Sequence, residues 1–338
     1  MNSTGLFPCK CMDHMKEQLL LKPGLPAATW QLQHFARKNV LVFPTFVQTT
    51  SLHAAVNLCC QNKRRTIMSK TILITGASRG FGKLWADAFL QRGDKVIATA
   101  RNLKDLQDLS DKYGQALLPL QLDVNDRAAV FAAVQKAQQH TGRIDVLINN
   151  AGYGLFGAVE ETTEQEARAQ METNFFGLLW ASQAVLPIMR AQGGGHIIQV
   201  SSILGLVTLP VLGLYNASKF AVEGLSETLA TEVKQFGIHV TMIEPNGFTT
   251  DWAGASAAST TPMEEYAGLR KAFSDSATPD SFGNPAATTP AILKLVDSAQ
   301  PPLRLLLGKV ALPFAKSVYE ARLAEWDQWQ EVAHAAHG

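Results

Sequence analysis

The chain has 338 residues, is 46% hydrophobic, and sets 30 Lys and Arg against 29 Asp and Glu. That length accommodates one domain of about 250 residues plus an appendage, and the near-zero net charge removes the usual electrostatic case for nucleic acid or a membrane surface as the main partner. No apolar run approaches the roughly 18 residues of a membrane span, and VLVFPTFV is interrupted by Pro44, so a soluble cytoplasmic protein is expected.

Residues 1–67 differ in character from the rest of the chain. Their apolar residues have no clear period, no acidic residue occurs between Glu17 and Met68, and Lys63, Arg64 and Arg65 form a basic cluster. At Met68 the pattern changes to MSKTILITGAS, a polar lead and then a buried strand, as a compact domain begins. The leader reads as a start codon assigned too far upstream, as an acid-poor transit peptide, or as a genuine extension. The first is expected, and N-terminal sequencing of the natural protein decides it. Cys9, Cys11, Cys59 and Cys60 all lie in this stretch. Their spacing is not that of a zinc site and no histidine pattern accompanies them, so no metal is expected. The remainder needs no disulfide, which suits a reducing cytoplasm.

After Met68, strands alternate with helices. Strands are predicted at 71–75, 95–100, 116–121, 146–149, 196–200, 239–243 and 303–307, with helices at 82–91, 127–140, 164–189, 216–235 and 288–296. Strands dense in Val, Ile and Leu between long helices imply a parallel sheet covered on both faces. The expected fold is α/β: a doubly wound parallel sheet of about seven strands, with helices on both faces, in a single domain over 68–338. Residues 253–261, rich in Ala, Ser and Thr, are expected to form a mobile loop.

TGASRGFG brings Gly76, Ser78, Arg79, Gly80, Phe81 and Gly82 between the first strand and the next helix. Glycines there let the backbone approach a pyrophosphate lying on the helix N-terminus, although an ordinary strand-to-helix turn uses them too. The second strand ends in Ala100 and Arg101, without the acidic residue that holds a ribose 2'-hydroxyl. Arg79 and Arg101 are either solvated surface charges or a 2'-phosphate site, and NADP(H) is expected over NAD(H). Asp123 and Val124 in LDVND, and Asn149, Asn150, Ala151 and Gly152 in INNAG, end the third and fourth strands, where an open α/β sheet binds ligand. Helix capping by Asp123 and turn hydrogen bonds by the asparagines would account for the same residues. In GLYNASKFAVEGL, Tyr215 and Lys219 stand four apart at a helix start, on one face. A neighbouring ammonium favours the phenolate and draws the phenol down from a pKa of about 10. Solvated pairs have this spacing too, so the surrounding motifs give it meaning.

T-G-x-x-x-G-x-G, N-N-A-G and Y-x-x-x-K in this order, from Met68 to the C-terminus, resemble the short-chain dehydrogenase/reductase family. The glycine spacing is that of its single-domain Rossmann branch of about 250 residues. The resemblance implies a catalytic serine thirteen positions before the tyrosine, which is Ser202, with Ser201 a structural neighbour. It also implies a catalytic asparagine in the helix after N-N-A-G, which is Asn174 in METNFFG. Hydride would pass between the nicotinamide C4 and the substrate carbon while Tyr215 gives or takes the hydroxyl proton. Lys219 would lower the phenol pKa and hold the nicotinamide ribose, Ser202 would hold the substrate oxygen, and Asn174 would fix a water linking Lys219 to solvent. Where the family has Pro-Gly, this chain reads Pro245, Asn246, Gly247. Asparagine tolerates a left-handed backbone, so the turn is expected to form, with the Phe248 backbone and Thr250 hydroxyl on the nicotinamide carboxamide and nearby phosphate. Homodimers or homotetramers are common in the family.

Between Ser202 and Tyr215 the chain reads ILGLVTLPVLGL, and a lid is expected at about 252–282, with Met263, Tyr266, Leu269 and Phe273. A mostly apolar wall implies a lipophilic ketone, aldehyde or secondary alcohol. DWAGASA and PPLRLLLG resemble bacterial members close to retinol and hydroxysteroid dehydrogenases. The rival is a non-catalytic NADP(H)-binding regulator on the same fold; such proteins typically lack the tyrosine or lysine, and both are present here.

Overall fold

The computed structural model describes residues 69–254 and 257–338; the expectations for the leader and its cysteines lie outside the described residues. In chain order, β1 (Thr71–Ile74) leads to α1 (Gly80–Arg92), β2 (Lys95–Ala100), α2 (Gln107–Tyr113), β3 (Leu117–Gln121), α3 (Arg127–Thr141) and β4 (Val146–Asn149). After β5 (Leu155–Phe156), α4 (Glu164–Met171) runs through a π-helical turn (Glu172–Phe176) into α5 (Gly177–Ala191). Then come β6 (Gly195–Val200), α6 (Gly213–Val233), β7 (Ile238–Pro245), β8 (Ala258–Ser259), α7 (Ala267–Ser276) and α8 (Thr289–Val296). β9 (Arg304–Leu307), α9 (Ala311–Gln328) and α10 (Gln330–Ala335) complete the chain.

Seven strands form one sheet in the order β3-β2-β1-β4-β6-β7-β9, every pair parallel. All seven predicted strands are in it, with ends within two residues of those expected. Side chains alternate between the faces. Ile72, Ile74, Val96 and Ala98 pack with Trp85 and Phe89 of α1, while Leu73, Ile97 and Leu147 pack with Val134 of α3 and Val185 and Met189 of α5. Because both faces are buried, the strands are continuous apolar runs, which makes them legible in the sequence. Phe89 is fully buried, so Phe89→Ala is expected to cost about 3–5 kcal/mol of unfolding free energy, measured by urea denaturation.

Two departures from expectation lie close to the site. The segment expected as a loop at 253–261 carries β8, which pairs in parallel with β5 through Leu155↔Ala258 and Phe156↔Ser259. A two-residue strand has no period to read, and it exists because Ala258 and Thr260 N–H groups reach the Gly154 and Phe156 carbonyls, both at 2.9 Å. The helix predicted over 164–189 is broken in register by the π turn. Among the described residues, no helix is long and apolar enough to cross a membrane.

Strand order reverses at β1, whose neighbours are β2 and β4. The crevice beyond the carboxyl ends of these strands is where such a sheet binds ligand.

Candidate active site

TGASRGFG and INNAG meet in this crevice. The Asn150 side-chain amide donates to the carbonyls of Thr75 (3.1 Å) and Gly76 (2.8 Å), and the Asn150 and Ala151 N–H groups donate to Thr75 Oγ1. Gly76 and Gly80 have positive φ, 67° and 55°. At Gly82 a Cβ would lie 2.4 Å from the Gly76 oxygen and 2.5 Å from Asn150 Nδ2, so only glycine fits. Arg79 occupies the N-cap of α1, yet no side chain caps the helix and its first turn has no acidic residue. Free amides and the positive end of the helix dipole therefore face the crevice, a donor set suited to phosphate.

The other expected cofactor residues surround this loop. Ser78 is half-buried, whereas Arg79 and Arg101 are exposed and form no ion pair among the described residues. The Phe81 ring stacks on Trp85 at 5.0 Å and meets Phe248 edge-on at 5.2 Å, so only its backbone can serve a ligand. Asp123 accepts the Asn125 N–H at 3.0 Å in a turn, whereas the cap of α3 is Asp126, and Val124 is buried. A Cβ on Gly80 would lie 3.9 Å from that of Thr250, which places Thr250 over the loop. Pro245 is buried at the end of β7. The left-handed Asn246 anticipated after it is not found: the one described non-glycine residue with positive φ is Val211, at 67°. Asn246 instead donates through Nδ2 to the Ser281 carbonyl at 3.2 Å, tying the turn to the lid.

Beside the loop, Tyr215, Lys219, Ser202 and Asn174 are all buried. Tyr215 and Lys219 share one face of α6. Ser202, following β6, accepts the Leu204 N–H at 3.1 Å. Asn174 sits in the π turn, a local unwinding frequent at functional sites. Its Nδ2 donates to the Tyr153 carbonyl (2.9 Å) and Ser218 Oγ (3.1 Å), and its Oδ1 accepts the Tyr153 N–H (3.0 Å). A Cβ on Gly152 would lie 3.1 Å from Asn174 Oδ1 and 3.8 Å from Lys219 Nζ, so these groups converge there.

Burial sets the electrostatics. It pushes the Tyr215 phenol above its ordinary range, and the nearby Ser202 hydroxyl only partly offsets this. It lowers Lys219 to about 8, against the opposing charge of Glu223. Burial is the larger influence on the phenol, while Lys219 Nζ lies 5.7 Å from the ring centroid and donates to the Val200 carbonyl at 2.8 Å.

The lid divides. Trp252 packs on the Tyr215 ring at 4.9 Å and on Phe156 at 5.4 Å, and Phe273 lies 6.5 Å from Phe156. Tyr266 and Leu269 instead line an outer groove with Val159, Leu209, Pro210 and Phe220. Met263 anchors the lid through its N–H to Glu161 Oε1 at 2.8 Å, where Arg270 also pairs. That N–H, with Ala158, Arg270 and Thr260, holds the Glu161 carboxyl down to about 2 despite its desolvation. Phe156 and Trp252, which touch the tyrosine neighbourhood, carry no motif that singles them out. Glu223, one turn beyond Lys219, was visible only as a spacing.

A parallel sheet whose order reverses above a glycine turn defines the nucleotide-binding α/β class. The model of the short chain dehydrogenase family matches residues 70–260, and the chain belongs to this family of oxidoreductases. It is 42% identical over 273 residues to oxidoreductase BOA17 of Botryotinia fuckeliana, covering 80% of this chain and all of that protein. It is also 42% identical over 251 residues to a 3-ketodihydrosphingosine reductase of Bacteroides thetaiotaomicron, covering 73% and 91% of the two chains. A short-chain dehydrogenase from Streptomyces avermitilis superposes with a TM-score of 0.74 at 37% identity, over 80% of this chain and 99% of that one. Two further solved relatives hold dinucleotides. A 3-ketoacyl-(acyl-carrier-protein) reductase from Brucella melitensis has NADH (27% identity, TM-score 0.62, 70% and 96% covered). A short chain dehydrogenase from Burkholderia cenocepacia has NADP (27%, 0.62, 77% and 97%).

Proposed function

We propose that the protein is an NADP(H)-dependent oxidoreductase that interconverts a lipophilic ketone or aldehyde with its alcohol, with Tyr215 as general acid/base. The observation that carries this reading is the buried convergence of Tyr215, Lys219, Ser202 and Asn174 beside an uncapped, glycine-lined helix start. Bound NADP(H) supplies or accepts the hydride. The amides of Gly76, Ser78, Gly80, Phe81 and Gly82 would hold its pyrophosphate, and Arg79 and Arg101 its 2'-phosphate. Asp123, Val124, Asn150, Ala151 and Gly152 would line the adenine and ribose sites, and Pro245, Phe248 and Thr250 the nicotinamide end.

Tyr215 would pass its proton to the substrate oxygen during reduction and take it back during oxidation. Ser202 would hold that oxygen and stabilise charge on it. As an ammonium ion, Lys219 would hold the ribose and offset the cost of a phenolate that burial otherwise opposes. Asn174, its amide engaged by Tyr153 and Ser218, would keep the Lys219 side of the site in place and fix the water that returns protons to it. The aromatic wall of Phe156, Trp252 and Phe273 favours an apolar substrate, and the relative named a 3-ketodihydrosphingosine reductase supports that choice. The lack of cysteine after Cys60 fits a cytoplasmic enzyme.

The test is NADPH consumption against ketones and aldehydes of increasing chain length, with turnover expected to rise with apolar length. Binding of NADPH without its oxidation by any carbonyl would favour the non-catalytic regulator instead.

A further inference from the structure

Behind Lys219 lies a buried acid pair that this chemistry leaves unused. Glu223 follows Lys219 by one turn of α6 and Glu244 stands near the end of β7, 5% and 0% exposed. Arg304 of β9 reaches both: its Nε is 3.0 Å from Glu223 Oε2 and 3.4 Å from Glu244 Oε1, while its Nη2 is 2.8 Å from Glu227 Oε2. Glu223 also packs under the turn that presents Ser202. A Cβ on Gly205 would lie 2.8 Å from Ser201 Oγ, 2.9 Å from Glu223 Cγ and 3.1 Å from the Lys219 carbonyl oxygen.

The two carboxyls thus converge on the single Nε–H of Arg304. Yet Glu223 Oε1, both Glu244 oxygens and Ser201 Oγ lack a hydrogen-bond partner. Two ionised carboxylates are acceptors only, so a proton on one of them supplies the missing donor. Charge balance points the same way. Lys219 and Glu227 from α6 and Arg304 from β9 are the charged groups facing the pair. With Glu244 protonated, Arg304 and Lys219 balance Glu223 and Glu227, whereas a second buried carboxylate would go unpaired. Burial and the like charge of Glu223 push Glu244 up to about 9, consistent with a neutral acid at pH 7.

We propose that Glu244 is a standing carboxylic acid that donates a hydrogen bond to Glu223, and that the Glu223 carboxylate so held is a positioning residue that keeps Lys219 in its ammonium form. The importance of that ammonium for turnover rests on the function proposed above; the electrostatic arrangement does not. No proton leaves the pair, and neither glutamate touches the reacting atoms.

The test is an NMR titration of protein carrying 13Cε-labelled lysine, with no cofactor or substrate added and the Lys219 signal assigned by its loss in Lys219→Met. Glu223→Gln is expected to move the Lys219 midpoint downward from about 8 by about one pH unit. Glu244→Gln, which replaces a neutral acid by a neutral amide, is expected to leave it in place. An unmoved midpoint in Glu223→Gln, or the same fall in both variants, would overturn the proposal; a purely structural ion pair would cost stability without moving the midpoint.

Should Glu223→Gln not fold, the wild type and Glu244→Gln decide the matter. A folded-state pKa of about 9 against an ordinary 4.5 means the folded protein holds an extra proton between those values. Stability then falls as pH rises through that window. Glu244→Gln is expected to remove this fall from the thermal-unfolding temperature, and parallel curves for the two proteins would refute a protonated Glu244. Because the titration is read without turnover, an inactive enzyme would count against the proposed function alone.

Discussion

Tyr215→Phe is expected to fold, to bind NADPH as the wild type does, and to lose about 10²–10⁴-fold in turnover, the usual contribution of a positioned acid/base. The ring keeps its packing on Trp252 and within the cluster of Ile203, Leu204 and Leu212. Only the hydroxyl goes, and nearby Ser202 retains the Leu204 N–H. Thermal unfolding and NADPH fluorescence titration check fold and binding, so a normal rate in a folded, binding variant would remove Tyr215 from the chemistry. The same reading sets a pH profile. Burial holds the phenol protonated through neutral pH, which suits reduction. Lys219 is charged below about 8 and loses its charge above it, so the carbonyl-reduction rate should be level toward neutral pH and fall as pH rises past that value.

The second large effect concerns cofactor choice. Replacing Arg79 and Arg101 together by alanine is expected to lower the NADPH-over-NADH ratio of kcat/KM by about 10–100-fold. Hydrogen bonds to charged groups contribute about 1.5–3 kcal/mol each, and exposure keeps these two toward the lower end. The loss should appear in the KM for NADPH and leave NADH nearly unchanged. Both side chains are exposed and unpaired among the described residues, so the fold should survive the change. A wild-type preference for NADH, or a ratio indifferent to the double substitution, would remove the 2'-phosphate assignment.

Legibility differed from element to element for physical reasons. β1, β2 and β4 are buried on both faces and announce themselves as apolar runs, and Gly76 and Gly82 of TGASRGFG are demanded by the close approach of Ala151 and Asn150 just after β4. β8 could not be read, because its two residues are strand only through β5, about a hundred positions earlier in the chain. The lid looked like one apolar wall, yet Phe273 joins the tyrosine cluster while Tyr266 and Leu269 face an outer groove. Asn246 was expected to need a left-handed backbone, and a hydrogen bond to Ser281 holds it otherwise.

From the sequence by itself came the sheet, the phosphate-loop geometry and the four residues Asn174, Ser202, Tyr215 and Lys219 as a group. The sheet and loop rest on short-range periodicity and local spacing, Tyr215 and Lys219 on a four-residue step along one helix, and Ser202 and Asn174 on the resemblance to the short-chain dehydrogenase/reductase family. Only the tertiary structure decided what surrounds them. It turned Lys219 toward the Val200 carbonyl, laid Trp252 against Tyr215, and brought Glu223, Glu244 and Arg304 from three elements into one buried cluster. Those features depend on burial and on charges distant along the chain, and burial is a property of the packed molecule.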